Sequence, residues 1–232
     1  MKRSLFALTA AALLALPSAL SAQGFGIAAR AGTLGIGAEA AVGLTDAFVI
    51  RGGIGLLPVE LKNPSFWEPG ADVDATLKLP KTWYNIGADL YVGGGFRIGG
   101  GMLFKPDDPT LTGTLTGSAE IDIGTGTPYT ATEVAEVVGT LKSKSSAPYV
   151  LIGFGKHTKS GIGLFLDLGV AMLGDPEVSL EVTEGTAANS SSPGYAALQT
   201  RLRQEEQTIE DDFGSYLKLW PILNIGIKLG VG

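Results

Sequence analysis

The chain has 232 residues, 34 of them glycine and none cysteine, with 17 basic side chains against 23 acidic ones and a formal net charge of −6. The lack of cysteine excludes disulfides, thiolate metal sites and a lipid-bearing cysteine, and the acidic balance excludes a basic nucleic-acid footprint. Mean hydropathy is +0.26, yet after about the first 20 residues no apolar run is long enough for a spanning helix. Two classes remain: a glycine-rich soluble β protein, or a membrane barrel in which lipid-facing apolar residues alternate with interior ones.

Lys2 and Arg3 precede an apolar stretch from Leu5 to Leu16, closed by Pro17 and followed by Ala19, Ser21 and Ala22. This pattern predicts a signal peptide over 1–22, leaving 23–232 as the mature barrel. Phe25, Ile27 and Ala29 alternate over 24–31, a first strand that Gly32 can turn. In 34–44, Leu34, Ile36, Ala38, Ala40, Val42 and Leu44 share one face, with Glu39 opposite. The next strand, 47–61, carries Phe48, Ile50, Ile54 and Leu56 on one face and Arg51 on the other. In 73–92, Ile86, Ala88, Leu90 and Val92 oppose Asn85, Gly87 and Asp89.

The segment 96–105 sets Phe96, Ile98, Met102 and Phe104 against Arg97, Gly99, Gly101 and Lys105. Residues 139–156 hold Val150, Ile152 and Phe154. In 161–173, Ile162, Leu164, Leu166, Leu168, Val170 and Met172 oppose Asp167. Finally, 214–231 sets Leu223, Ile225, Ile227 and Leu229 against Asn224, Gly226 and Lys228. A strand puts successive side chains on opposite faces. The second face here is mostly glycine and alanine with sparse charges, which suits the inside of a narrow barrel better than a wet sheet surface.

The turns at Thr45-Asp46, Gly93-Gly94-Gly95 and His157 to Ser160 are short. The connections near 62–72, 106–138 and 184–213 are long. Outer-membrane barrels have short periplasmic turns and longer extracellular loops. The reading is therefore all-β: a transmembrane antiparallel barrel of about eight strands, with one short helix in an extracellular loop. Phe48 and Phe96 fall near the periplasmic ends, and Phe104, Tyr216 and Trp220 near the opposite ends, as interfacial girdles would. Ser192-Pro193 opens the helix and Gly214 suits its end. Tyr195, Leu198, Leu202, Ile209 and Phe213 recur at near-helical spacing, while Glu205, Glu206, Glu210, Asp211 and Asp212 make the other surface acidic.

By parity, Glu39, Arg51, Asp89, Arg97, Asp167 and Lys228 point into the lumen, three acidic and three basic. Charges confined there must pair, and Glu39 with Arg51 on the adjacent strand is the first candidate. The sole histidine, His157, falls in a turn on the side away from outer-leaflet chemistry and is expected to be solvated and without a partner. Gly93-Gly94-Gly95 leads into a strand, not a helix, so phosphate-cradling geometry is not expected. No catalytic set, metal site or cofactor is expected.

The run Ala28-Ala29-Arg30-Ala31-Gly32-Thr33-Leu34-Gly35-Ile36-Gly37 with Glu39 resembles the opening of uncharacterised outer-membrane β-barrel proteins of Gram-negative bacteria, of the small OmpA-, OmpX- or OmpW-like kind. The resemblance continues at Val42 to Asp46, Arg51-Gly52-Gly53, Gly94 to Arg97, Ala147-Pro148-Tyr149 with Gly153, Glu205-Glu206 with Asp211-Asp212, Trp220-Pro221 and Ile225-Gly226. It implies fold and outer-membrane location and brings no catalytic residue. Members tend to end in an aromatic residue that the barrel-assembly machinery reads, whereas this chain ends Leu229-Gly230-Val231-Gly232.

The expected partners are outer-membrane lipid and lipopolysaccharide, the assembly machinery, and an extracellular ligand that the sequence does not identify. The expected role is that of a non-enzymatic barrel with a salt-bridged, largely closed lumen, serving envelope integrity or surface binding through its loops. The alternative is porin-like transport of small solutes or hydrophobic compounds.

Overall fold

The alternating apolar period closes into a barrel. A computed structural model describes residues 24–63 and 72–231, so the proposed signal peptide lies outside the described residues. Eight strands form the barrel: β1 (Phe25–Gly32), β2 (Ile36–Gly43), β3 (Phe48–Leu56), β6 (Thr82–Gly93), β7 (Phe96–Phe104), β12 (Ser146–Phe154), β13 (Gly161–Met172) and β15 (Leu219–Val231). Their order around the wall is β1-β15-β13-β12-β7-β6-β3-β2, antiparallel throughout. Closure leaves no unpaired edge within the wall, so every strand satisfies its backbone groups through its neighbours.

The outward residues are large and apolar. Ile27, Ile36, Ile86, Ile98, Val150, Ile162, Leu164, Ile225 and Ile227 are all exposed. Contiguous apolar surface of this extent belongs against lipid, not water. Among the described residues no helix is long and apolar enough to cross a membrane; the strands do the crossing. Phe48, Phe96 and Phe104 lie on the outer face as expected. Trp220 does not: it shares parity with Ile222, turns toward the mouth and stacks on Trp83 with ring centroids 4.7 Å apart. The Tyr216 side chain lies outside what is described.

Three expected long strands are each broken in two. The chain leaves the barrel and enters a second, five-stranded sheet in the order β14-β11-β8-β5-β4, built from β4 (Glu60–Lys62), β5 (Val73–Lys78), β8 (Thr110–Leu115), β11 (Glu136–Lys142) and β14 (Glu177–Glu184). Segments 47–61, 73–92 and 139–156 therefore each hold two strands. Prolines mark several breaks: Pro58 follows β3, Pro80 precedes β6, Pro106 and Pro109 follow β7, and Pro176 precedes β14. Proline lacks the N–H that a continuous ladder needs. A short hairpin of β9 (Glu120–Ile121) and β10 (Tyr129–Thr130) completes the strands.

The helix α1 runs over Tyr195–Leu217, 23 residues, and passes through Gly214 without stopping. Leu198 and Leu202 are buried with Ile123, Val134, Val182 and Ala187, fastening the helix to the second sheet. The long connections near 106–138 and 184–213 are thus a folded head. The turns at Thr45-Asp46, Gly93-Gly94-Gly95 and His157 to Ser160 lie at the other end of the barrel. The tight β1–β2 turn is made at Gly35 (φ 86°), whose N–H donates to the Gly32 carbonyl at 2.9 Å.

Candidate functional site

Inward parity brings charges from six strands into one layer across the lumen. Arg30 (β1) lies 3.1 Å from Glu39 (β2), and Arg51 (β3) lies 3.1 Å from Glu39. The Arg51 guanidinium also stands 3.1 Å from Asp89 (β6) and 2.8 Å from Asp167 (β13). Arg97 (β7) closes the circuit, 2.9 Å from Asp89 and paired with Asp167. All six side chains are buried. Three guanidinium groups face three carboxylates, so the layer carries no net formal charge. Guanidinium suits this place because its fork engages several carboxylates at once.

The register explains one long reach. Gly153 on β12 is paired with Arg97 on one side and Asp167 on the other. A Cβ at Gly153 would stand 2.6 Å from Arg97 Cζ and 2.8 Å from Asp167 Oδ1. The missing side chain is what lets the two charges meet over β12.

The turn between β12 and β13 folds into the base of the lumen, which corrects the expectation for His157. It is 1% exposed. Its Nε2 lies 3.1 Å from Glu39 Oε1 and its Nδ1 3.2 Å from the Tyr91 hydroxyl. The same hydroxyl donates to the Gly155 carbonyl at 3.3 Å. The His157 backbone N–H donates to the Tyr91 oxygen at 3.1 Å, and the ring packs on Phe165. Arg97 fastens the same turn by donating to the Gly155 carbonyl at 2.6 Å.

Lys228, expected in this layer, stands apart from it. Asp167 is level with Asn224, whereas Lys228 is level with Gly163, four residues further down β15. At about 3.4 Å per residue that is roughly 14 Å further along the strand. There the ammonium donates to the Gly161 carbonyl at 2.9 Å and to the Lys159 carbonyl. Arg30, which the sequence reading did not select, takes a place in the layer instead.

Above the charges lies an apolar layer of Leu34, Trp83, Leu103, Tyr149, Leu151 and Ile222. Between the two layers remains a cavity of about 10 Å³, bordered by Arg30, Arg51, Asn85, Tyr149, Asp167 and Asn224. That is about the room needed by one water molecule.

The acidic helix residues do not form one outward face. Glu206 and Glu210 accept hydrogen bonds from the backbone N–H groups of Leu180 and Val178, each at 2.7 Å, and Glu205 accepts from Gly124 N at 3.2 Å. Only Asp211 and Asp212 of the five are exposed. β14 pairs with β11 along one side only, so its other side is the open edge of the head sheet. Two carboxylates one helical turn apart meet two alternate N–H groups of that edge. Unpaired edges invite association with other strands, and covering them is a common remedy.

No family model and no curated protein matches the sequence. Solved structures with the same fold are found. CarO2 of Acinetobacter baumannii aligns over 90% of this chain and 99% of its own, at 19% identity and a TM-score of 0.61. CarO of the same organism aligns over 88% and 96%, at 18% identity and a TM-score of 0.55. The fold is that of an outer-membrane β-barrel. The two resemblances extend over the head as well as the barrel, since nearly the whole chain is aligned in each.

Proposed function

We propose that this chain is a non-enzymatic outer-membrane barrel whose lumen is held shut and whose extracellular head serves surface binding or envelope integrity. The observation that carries this reading is the neutral six-residue charge layer beneath an apolar layer, with about 10 Å³ left between them. A polar conduit needs a continuous wet path, and isolated charge in such a space is costly. A satisfied network favours a rigid plug instead. The engagement of the sole histidine with Glu39 and Tyr91, inside the barrel and away from the outer rim, supports a role without chemistry.

The leader 1–22 is proposed to direct export and to be cleaved, which the mass of the protein recovered from outer membranes tests. The functional test is single-channel recording in planar bilayers. The expected outcome is no steady conductance. A large, steady conductance in the unmodified protein would overturn the closed-lumen reading and put solute transport in its place.

A further inference from the structure

The head sheet has two edges, and they are treated differently. The helix α1 covers the β14 edge, whereas β4 at the other end pairs with β5 and, among the described residues, with no other strand. Glu60, Leu61 and Lys62 of β4 are all exposed. The strand is bounded by Pro58, which has no N–H, and by Asn63, whose φ of 43° takes the chain out of the extended region. Its ladder to β5 fixes which backbone groups are already used. Asn63 N–H donates to the Ala75 carbonyl at 2.7 Å, and Leu79 N–H donates to the Val59 carbonyl at 3.3 Å. In an antiparallel pair alternate residues turn their N–H and C=O toward the neighbour. Val59, Leu61 and Asn63 therefore face β5, and the N–H and C=O groups of Glu60 and Lys62 face outward. Leu61, 41% exposed, lies directly opposite Leu77 and shares its face of the sheet.

We propose that β4 is a self-pairing edge: it takes β4 of a second copy of this chain, antiparallel, about a two-fold axis at Leu61. In that register Glu60 of each copy exchanges both backbone hydrogen bonds with Lys62 of the other, and the unlike side chains stand directly opposite each other. Leu61 meets Leu61 of the second copy in the closer, non-hydrogen-bonded pairing, beside Leu77. The charges select this register. Sliding the copies by two residues sets Glu60 against Glu60 in one direction and Lys62 against Lys62 in the other. Charge on an edge strand is a common defence against pairing. An edge of one sign repels its own copy, whereas unlike charges two residues apart attract it when the copy runs antiparallel. A patch that is its own complement is what a two-fold interface requires. The contact is short, so it belongs with weak and reversible associations. It does not depend on the lumen: a conducting barrel would leave the edge as it is.

The chain has no cysteine, so a single introduced one reports on its own copy. In a non-hydrogen-bonded antiparallel pair the Cα atoms stand about 4.5 Å apart, within the span of a disulfide. The full chain carrying Leu61→Cys is refolded in detergent, with micelles in excess to keep copies apart, and its folding is verified by heat-modifiable gel mobility. The rate of disulfide-linked dimer formation under mild oxidation is the readout. Asp46→Cys, exposed in a turn at the far end of the barrel, gives the rate of random collision. Leu61→Cys is expected to dimerise about tenfold faster than Asp46→Cys, because pairing raises the local concentration of the second thiol. Adding Glu60→Lys or Lys62→Glu sets like charges opposite each other and should slow the reaction about tenfold. An equimolar mixture of the two reversed chains, or one chain carrying both reversals, should recover the rate. If a reversal fails to fold, Glu60→Gln and Lys62→Gln remove the attraction without adding repulsion and should slow dimerisation about threefold. A Leu61→Cys rate no higher than that of Asp46→Cys would overturn the proposal and leave the edge to a strand of another protein. A rate indifferent to the charge changes would overturn it as well.

Discussion

Arg51 and Asp167 meet at 2.8 Å although their strands, β3 and β13, stand on opposite sides of the eight-stranded wall. The pair is a strut across the full width of the lumen. Arg51→Met leaves three carboxylates facing two guanidinium groups. Removing one partner of a buried pair costs about 3–5 kcal/mol. Adding Asp167→Asn should recover part of that loss, because Arg30 keeps Glu39 and Arg97 keeps Asp89. Urea unfolding of the parent, both single variants and the double variant in lipid vesicles measures the coupling. Strictly additive losses would show that the charges act independently.

The gap at Gly153 makes a second prediction. Gly153→Ala forces Arg97 or Asp167 aside, and Gly153→Val does so more severely. Overpacking of this kind costs about 1–3 kcal/mol. The valine variant should unfold at lower urea than the alanine variant, and both below the parent. Equal midpoints for all three would mean that Arg97 does not need to pass over β12.

The helix contacts on β14 predict a local effect. Glu206→Ala and Glu210→Ala each free one edge N–H, at Leu180 and Val178 respectively. Amide exchange at those two positions should accelerate, while the global unfolding midpoint stays near that of the parent, since the head can open without the barrel. Glu206→Gln keeps an oxygen acceptor and should preserve most of the protection. Unchanged exchange in both alanine variants would remove the edge-covering role.

Leu166 lies on the outer face of β13, opposite Ile225 of β15 and Phe154 of β12. Arginine near the bilayer midplane costs about 2–4 kcal/mol in barrels. Leu166→Arg should therefore insert poorly into liposomes and unfold more readily once inserted. Normal insertion with unchanged stability would place this face away from lipid.

The eight barrel strands are legible because lipid imposes a clean two-residue period, which the wall of a narrow barrel answers with small inward residues. Height along the barrel is not legible in the same way. Lys228 has the right parity and the wrong level, since parity fixes the face and only register fixes the level. Arg30 carried the same signal as the selected charges, alternating with Ala29 and Ala31, and a uniform parity rule would have found it. His157 gave no periodic signal, because its burial comes from a turn folding inward. Strand β8 was readable too: Thr110, Thr112 and Thr114 alternate with Leu111, Gly113 and Leu115. The carboxylates of α1 look like a solvated face in sequence because hydrophobic spacing says nothing about backbone donors waiting on another element.

The head sheet has a consequence for the order of assembly. Its strands come from three separate connections: β4 and β5 between β3 and β6, β8 and β11 between β7 and β12, and β14 between β13 and β15. Yet β5 pairs with β8, and β11 pairs with β14. No single connection can build the sheet alone. Each joins the sheet only once its neighbours are delivered alongside. The last strand to arrive, β14, brings with it the helix that covers the exposed edge. A barrel stalled before β13 is in place would leave β11 without β14 along one side, so a finished head requires that the wall beneath it has closed.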